Sequence, residues 1–592
     1  MRLISSHLIG LSVLAAAPRC YGQSENPSMT VKEIKPEVCG NAASFAGYVK
    51  FPPNTMKSMT QPNKMNFFYW YFPAQENPEN APVVVWLNGG PGVTDMAGIF
   101  TEVGPCTIDK DLKQTANPNS WNKKHNMLFI DQPLHVGFSH DTPTKGFLNV
   151  LNDEIMIPDD GQEPPKGNTI IPGTFSSQDP LSTANTTVNA ARHFWNFMQV
   201  FQRDFLDKKP SNGKLSIWAE SFGGHYSPVF ARYIHDQNVR IRQGELNDSR
   251  PIELSTVGVM NGCVDDETEI LSRSDFAFDQ NTYGIQHISK EQRDLSADIF
   301  DSLAGCRDKL RQCKELGLTL DPLFTGNNSF VNKVCHGAAG LCSFMDKAYF
   351  EQTVKRSTYD ITQCGLINDT PHEFYREYLS QESIMKELDV PVNLTDFSLT
   401  VFRGLHATGD SARGGIGIIA SLLNLGIPVA MVYGDRDWIC NWKGGEKVSL
   451  HLKHDNAPVF GRAGYADIKG DKDKVIGQVR EAGMLSFSRV FQASHMVAAS
   501  QPEAALTVFQ RAMARKDIAT GKTSVTREFA TEGSAQSTAS SEKPAAAQPV
   551  CRFLSLGKTC GPDQIEAVLN GTAVIEGGTI TSPGLPAGIC PT

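Results

Sequence analysis

"KLSIWAESFGGHYSPVF", residues 214–230, decides how the rest of the chain is read. An apolar run from Lys214 to Trp218 meets Ala219-Glu220-Ser221-Phe222-Gly223, and a helix-compatible stretch follows. Strand, small-x-Ser-x-Gly, helix is the pattern of a nucleophile elbow, with Ala219 where glycine is commoner. Small residues flank the serine because the turn is sharp and neighbouring backbone passes close to it. Such a turn exposes the Ser221 hydroxyl at its tip and leaves the Phe222 amide free to donate to a developing oxyanion.

Working outward, strand-like and helix-like segments alternate. "AARHFWNFMQVF" (190–201) reads as a helix and "IELSTVGVM" (252–260) as a strand. "NFFYWYF" (66–72), "PVVVWL" (82–87) and "MLFID" (127–131) are rich in β-branched and aromatic residues and read as strands. The pattern resumes at "GIPVAMVYGDRD" (426–437) and "LSFSRVFQ" (485–492), with a helix after Pro502. This alternation predicts an α/β chain, a mostly parallel sheet with helices on its faces. Its core would comprise residues 23–262 and 401–515, interrupted by a helical, cysteine-bearing insertion at 263–400. Residues 140–180 also read as an insertion. Residues 516–549, rich in Ser, Thr, Ala, Lys and Glu, read as a flexible linker, and 550–592 as a small cysteine-containing segment with little core of its own.

A nucleophilic serine needs a base, and the base needs an orienting carboxylate. On a sheet of this kind the partners follow the serine in the order Asp, His, at the ends of later strands. Asp437 follows the strand in "PVAMVYGDRD" (428–437), and His495 follows "LSFSRVFQAS" ahead of a helix. Asp435 is the rival for Asp437, with stabilisation of the loop as its other role.

Composition narrows the class. Hydrophobic content of 40% and charged content of 20% describe a globular protein. A formal charge of −9 argues against nucleic acid as a partner. Arg2, the apolar run Leu8 to Ala17 and the small residues around Gly22 read as a secretory signal peptide over 1–22, too short to span a bilayer. No later run approaches the ~20 apolar residues a span requires. The expectation is a secreted, extracellular protein without a membrane span. Thirteen cysteines agree with an oxidising compartment.

Cys306, Cys313, Cys335 and Cys342 form two C-x6-C pairs. On antiparallel helices these would join as Cys306–Cys342 and Cys313–Cys335. Zinc is the competing reading, but its sites use closer spacings. Cys39–Cys106 and Cys263–Cys364 are further expected pairings, while Cys551, Cys560 and Cys590 stay unassigned. N-x-[ST] sequons at Asn185, Asn247, Asn327, Asn368, Asn393 and Asn570 fit a glycosylated secreted protein.

"WLNGGPG" (86–92), "DQPLHVGFS" (131–139), "ESFGGHYSP" (220–228), "GDRDWICNW" (434–442) and "SHMVAASQP" (494–502) together resemble the signature blocks of the serine carboxypeptidase family, especially its secreted fungal members. The resemblance implies an α/β-hydrolase fold whose helical insertion caps the substrate pocket. It implies Ser221, Asp437 and His495 as the triad, with Gly90 and Phe222 as oxyanion-hole amides. No metal or cofactor is called for, and the partner is a peptide or protein with a free C-terminus. The family pattern places Asn88 and Glu102 at the substrate's terminal carboxylate, joined by Glu220 and the Gly89 amide. Two glutamates tolerate a carboxylate if protons are shared, which raises their pKa values and favours activity in acid. By the same match, Trp86 and Met496 line or support the pocket, and Cys440 is a free thiol near the triad.

Val93-Thr94-Asp95, Ala219, Phe222, Ser494 and Ala498 depart from the family pattern, which bears on substrate preference and turnover. An acyltransferase or esterase with the same triad and a catalytically silent binding homologue are the alternatives. The glutamate pair speaks for a carboxylate-binding peptidase, and the intact triad against a silent protein.

Overall fold

Apolar runs and turn signals resolve into a twelve-stranded sheet in a computed structural model that describes residues 26–159, 161–209, 211–351, 355–366, 374–539 and 542–585. Its main strands are β1 (Ser44–Phe51), β2 (Met65–Phe72), β3 (Val83–Leu87), β4 (Asn126–Ile130), β5 (Lys214–Glu220), β6 (Glu253–Met260), β7 (Val429–Gly434), β8 (Val475–Ala482) and β9 (Leu485–Val490). They lie in the order β1-β2-β4-β3-β5-β6-β7-β9-β8, with short strands at either edge. From β4 to β9 every neighbour is parallel, and both flanks are antiparallel. The chain therefore has the α/β-hydrolase layout, with one row of strand C-termini on one side of the sheet.

Side chains of the central strands alternate between two cores. In β3, Val83, Val85 and Leu87 face one core, while Val84 and Trp86 face the other. The first core is roofed by α2 (Thr187–Phe201) and α3 (Gly223–Arg242), and the second by α1 (Asp95–Thr101) and α7 (Pro502–Met513). Burial on both faces is why these strands read as continuous apolar runs.

The insertion after β6 contains α4 (Cys306–Leu320) and α5 (Ser329–Ser343). Cys306–Cys342 and Cys313–Cys335 join them, and Cys39–Cys106 ties the N-terminal region to the end of α1. Residues 144–175 form a separate three-stranded antiparallel sheet from Thr144–Asn149, Glu154–Met156 and Ile170–Phe175. α6 (Trp442–His451) begins just after the β7 loop, its first turn capped by Asn441.

Two expectations from sequence are corrected. Cys263 is bonded to Cys440 rather than to Cys364, so Cys440 is not a free thiol, and Cys364 is disulfide-bonded elsewhere. The physical reason is strand order: β6 and β7 are parallel neighbours, and the loops leaving their C-termini meet with 5.1 Å between the two Cα atoms. A separation of 177 residues hides that contact from any local pattern. Residues 516–539, part of the 516–549 stretch read as a flexible linker, lie hydrogen-bonded along β9 and β8. Thr531 donates to Glu481 and Gly464 carbonyls, and Arg489 donates to Ser537 and to the Ala539 carbonyl. Hydrogen bonds, many to its backbone, hold this segment together with Ile518, which is buried in the second core.

Cys551–Cys560, a pair left unassigned from sequence, staples the C-terminal segment. That segment shares a small core, Val150, Leu556, Val568 and Ile580, with the 144–175 sheet. The signal-peptide reading over 1–22, Asn368 and Cys590 lie outside the described residues. Among the described residues no helix is long and apolar enough to cross a membrane.

Candidate active site

Three loops at the C-terminal ends of β5, β7 and β9 carry Ser221, Asp437 and His495. Ser221 stands at φ +61°, a left-handed conformation costly for any residue but glycine. Surrounding contacts enforce it: the Ser221 amide donates to Met260 O (3.1 Å), and Gly224 N and Cys263 N both donate to Ser221 O (2.9 and 3.0 Å). The elbow's need for small residues is geometric. A Cβ on Gly223 would stand 2.5 Å from the Ala219 Cβ. α3 starts at Gly223, so the Phe222 amide points toward the space above Ser221.

The partner loops are tied together below this turn. His495 Nδ1 bonds Asp437 Oδ2 at 2.8 Å, and both side chains are buried. Asp437 Oδ2 also accepts from Asn261 Nδ2 (2.6 Å), and Oδ1 from the Ile439 amide (3.0 Å). Asn261 directly follows β6, and its Oδ1 accepts from Gly434 N at 2.7 Å, which pins the β7 loop. Asn261 was missed in the sequence; its position at the end of a central strand was the available signal. Asp435, the rival carboxylate, faces away. It takes Tyr283 OH (2.7 Å), Gln492 N (2.9 Å) and the fully buried Arg489 guanidinium (3.1 Å). Cys440 Sγ lies with the His495 and Asp437 ligand atoms within 4.8 Å of one another, but its disulfide leaves no thiolate for a metal.

The glycine loop closes over the elbow. A Cβ at Gly89 would fall 2.5 Å from Phe222 N and 2.7 Å from the Ser221 Cβ, so no larger residue fits there. Gly90 follows at φ +103°, a conformation open to glycine. Asn88 is fixed on every side: its amide donates to Asp95 Oδ1 (2.7 Å), and its Oδ1 accepts from Trp86 Nε1 (2.9 Å) and Gly98 N (3.1 Å). Its Nδ2 donates to Glu102 Oε1 at 3.1 Å. Glu102 is 3% exposed, and its Oε2 takes no hydrogen bond among the described residues. Glu220, at the last position of β5, is equally buried. Trp86 is wholly buried between β3 and Trp121, so it supports Asn88 rather than facing a pocket. Met496, next to His495, is half-buried. Of the sequons, Asn247, Asn327 and Asn570 are exposed, while Asn185 and Asn393 are half-buried and their Oδ1 atoms accept from Asn189 and Thr174.

Beneath the loop lie two buried carboxyls. Asp131 accepts from Thr94 Oγ1 (2.5 Å) and from the Asp95 and Phe138 amides, yet burial pushes its pKa up to about 7. Burial raises Asp95 well above the carboxylate range too. Behind the Cys263 loop, Glu269 is pushed up to about 8 by burial and by Asp266. Each folded-state value lies above the unfolded one, so the native state binds more protons than the unfolded chain between about pH 4 and 8. Stability from these groups is fully present in acid and is lost as pH rises through about 7 to 8. The melting temperature is therefore expected to fall between about pH 6.5 and 8.5, above the range in which buried His125 and His193, lowered to about 4, contribute the opposite slope. Scanning calorimetry across that range tests this, and a flat or rising profile would contradict it.

A sequence profile of the family described as "Serine carboxypeptidase" matches residues 36–515. The chain belongs to that family. "Carboxypeptidase S1 homolog A" of Arthroderma otae is 42% identical over 575 residues, covering 94% of this chain and 87% of the relative. "Carboxypeptidase Y homolog" of Arthroderma benhamiae is 41% identical over 574 residues, covering 95% and 91%. The crystal structure of a prohormone-processing carboxypeptidase from Saccharomyces cerevisiae is similar in fold, with a TM-score of 0.54, 20% identity and coverage of 81% of this chain and 92% of that one. The serine carboxypeptidase profile ends at residue 515, so the segments at 516–539 and 551–585 lie outside it.

Proposed function

We propose that this serine carboxypeptidase releases C-terminal residues from peptides and proteins through an acyl-enzyme on Ser221, most effectively in acid, as a secreted protein. Ser221 Oγ attacks the last peptide carbonyl while His495 takes its proton, and Asp437 holds the imidazole in the required tautomer. The amides of Gly90 and Phe222 stabilise the tetrahedral oxyanion, a contribution of about 3 kcal/mol per donor. His495 then protonates the departing amino group, and water, deprotonated by the same imidazole, hydrolyses the ester.

The observation that carries the exopeptidase reading is the Asn88–Glu102 bond beside the elbow, with Glu102 Oε2 buried and unsatisfied. A buried acceptor left in this state is costly. Glu102 and Glu220, with the Gly89 amide beside them, would receive a substrate's terminal carboxylate by sharing a proton with it, as the family pattern implies.

The test compares an N-blocked dipeptide with its C-terminal amide from pH 4 to 8, in the wild type and in Glu102→Ala. The free acid should be preferred in acid, with the preference fading toward pH 8. Glu102→Ala should lower kcat/KM for the free acid by about 10- to 100-fold and leave the amide nearly unchanged, in line with ~1.5–3 kcal/mol for a hydrogen bond to a charged group. Preference for the amide at every pH would remove the proposal. The disulfides fit an oxidising compartment, and recovery of the protein from culture medium tests secretion.

A further inference from the structure

The glycine loop is not held by the core alone. Residues 395–398 run as an extended segment against it: Ser398 N donates to Gly92 O (2.9 Å), Thr94 N donates to Asp396 O (3.0 Å), and Phe397 bridges Val93. The other edge of this segment pairs with Gly137, through Gly137 N to Thr395 O and its reciprocal bond (2.8 and 3.0 Å). Its central side chain, Asp396, accepts from Tyr375 OH and forms an ion pair with Arg376.

Arg376 leads in turn to the C-terminal segment. Its Nη1 donates to Leu554 O and to Ser555 Oγ (3.1 Å), and its Nη2 meets Asp153 at 3.3 Å. Asp153 also pairs with Lys558 at 2.8 Å. One residue along, Glu377 pairs with Arg552 (2.6 Å), whose guanidinium lies over the Phe374 ring at 3.6 Å. Arg376 and Arg552 are 6% and 5% exposed, so both charges are buried inside the fold. Burial would raise the Asp396 carboxyl, but Arg376 outweighs that and holds it below the ordinary range, so the pair survives in acid.

We infer that Arg376 is a positioning residue for the oxyanion loop, and that residues 551–585, outside the family profile, form a clamp that holds it in place. This rests on the reading of Gly90 as an oxyanion donor. A buried guanidinium with two carboxylates on one side and two oxygens of the tail on the other cannot shift without stranding charge. It therefore fixes Asp396, whose backbone carbonyl anchors Thr94 four residues from Gly90. Small displacements of preorganised donors lower turnover more than binding.

The test uses the full-length chain with Arg376→Gln, Arg376→Lys and, at the tail, Arg552→Gln, which leaves Arg376 and its partners untouched. Arg376→Gln should lower kcat by about 10- to 100-fold with KM within about threefold, and Arg376→Lys should recover part of the loss. Arg552→Gln should lower kcat in the same direction by a smaller factor, again at constant KM. Wild-type kcat in folded Arg376→Gln, or a rise in KM alone, would overturn the inference. If Arg376→Gln does not fold, Arg552→Gln decides: unchanged kcat overturns the clamp, and reduced kcat at unchanged KM supports it. Ser221→Ala, run in parallel, separates the two levels. Residual full activity there defeats the catalytic reading itself, whereas a dead Ser221→Ala beside a fully active Arg376→Gln defeats only the clamp.

Discussion

Ser221→Ala is expected to lower kcat by about 10⁴- to 10⁶-fold while leaving the folded state intact. The hydroxyl is the only atom removed, and the left-handed backbone at this turn is as uncomfortable for alanine as for serine. Binding of the peptide, which the proposal shares among Asn88, Glu102 and the Gly89 amide, should persist, so KM should stay within a factor of a few. Ser221→Gly makes an informative companion. It should be equally inactive yet melt slightly higher, because glycine accepts φ near +61° without strain. A serine-directed phosphonate should label the wild type and neither variant. Labelling that survives in Ser221→Ala would move the nucleophile elsewhere, and absent labelling of the wild type would return the chain to the silent alternative.

Asp437→Asn carries the second large effect, about 10⁴-fold in kcat, and the hydrogen bonds show why. Asp437 Oδ2 takes two donors, His495 Nδ1 and Asn261 Nδ2, while Oδ1 takes the Ile439 amide. An asparagine offers only one acceptor oxygen. With that oxygen toward Ile439, the new NH₂ faces His495 Nδ1, which must become an acceptor; the proton then sits on Nε2, where the base is needed. With the amide flipped, NH₂ confronts the Ile439 N–H. The first orientation keeps the Ile439 bond and loses the productive tautomer; the flipped one keeps the tautomer but sets two donors against each other, so the inactive arrangement is favoured. Asp435→Asn serves as the contrast: it breaks the buried pair with Arg489, at a cost of about 3–5 kcal/mol in stability, with kcat of the folded fraction preserved. Reversal of these two outcomes would exchange the roles of the two aspartates.

The elbow was legible because its constraint is local. Ala219, Ser221 and Gly223 meet one another within five residues, and the flanking strand and helix carry their own periods. The partners were legible because each ends a central strand, a place that composition and spacing reveal. What escaped depended on strand order. Nothing near Cys440 announces Cys263, and nothing near Asn261 announces Asp437, until β6 and β7 are seen side by side. Trp86, read as lining or supporting the pocket, has the supporting place: alternation along β3 sends its indole to the opposite core from Leu87, where its Nε1 donates to Asn88. Residues 516–539 deceived for another reason. Ile518 apart, their hold on the sheet comes largely through backbone carbonyls and amides, which every sequence possesses and none displays. Arg376 shares that invisibility, because its significance lies in a tail some 180 residues further along.

The order of the strands also sets a timetable for synthesis. A chain leaving the ribosome N-terminus first presents the serine turn early, but the imidazole follows the last strand to join the sheet. On the proposed roles, the hydroxyl has no base until that strand is inserted beside its neighbour.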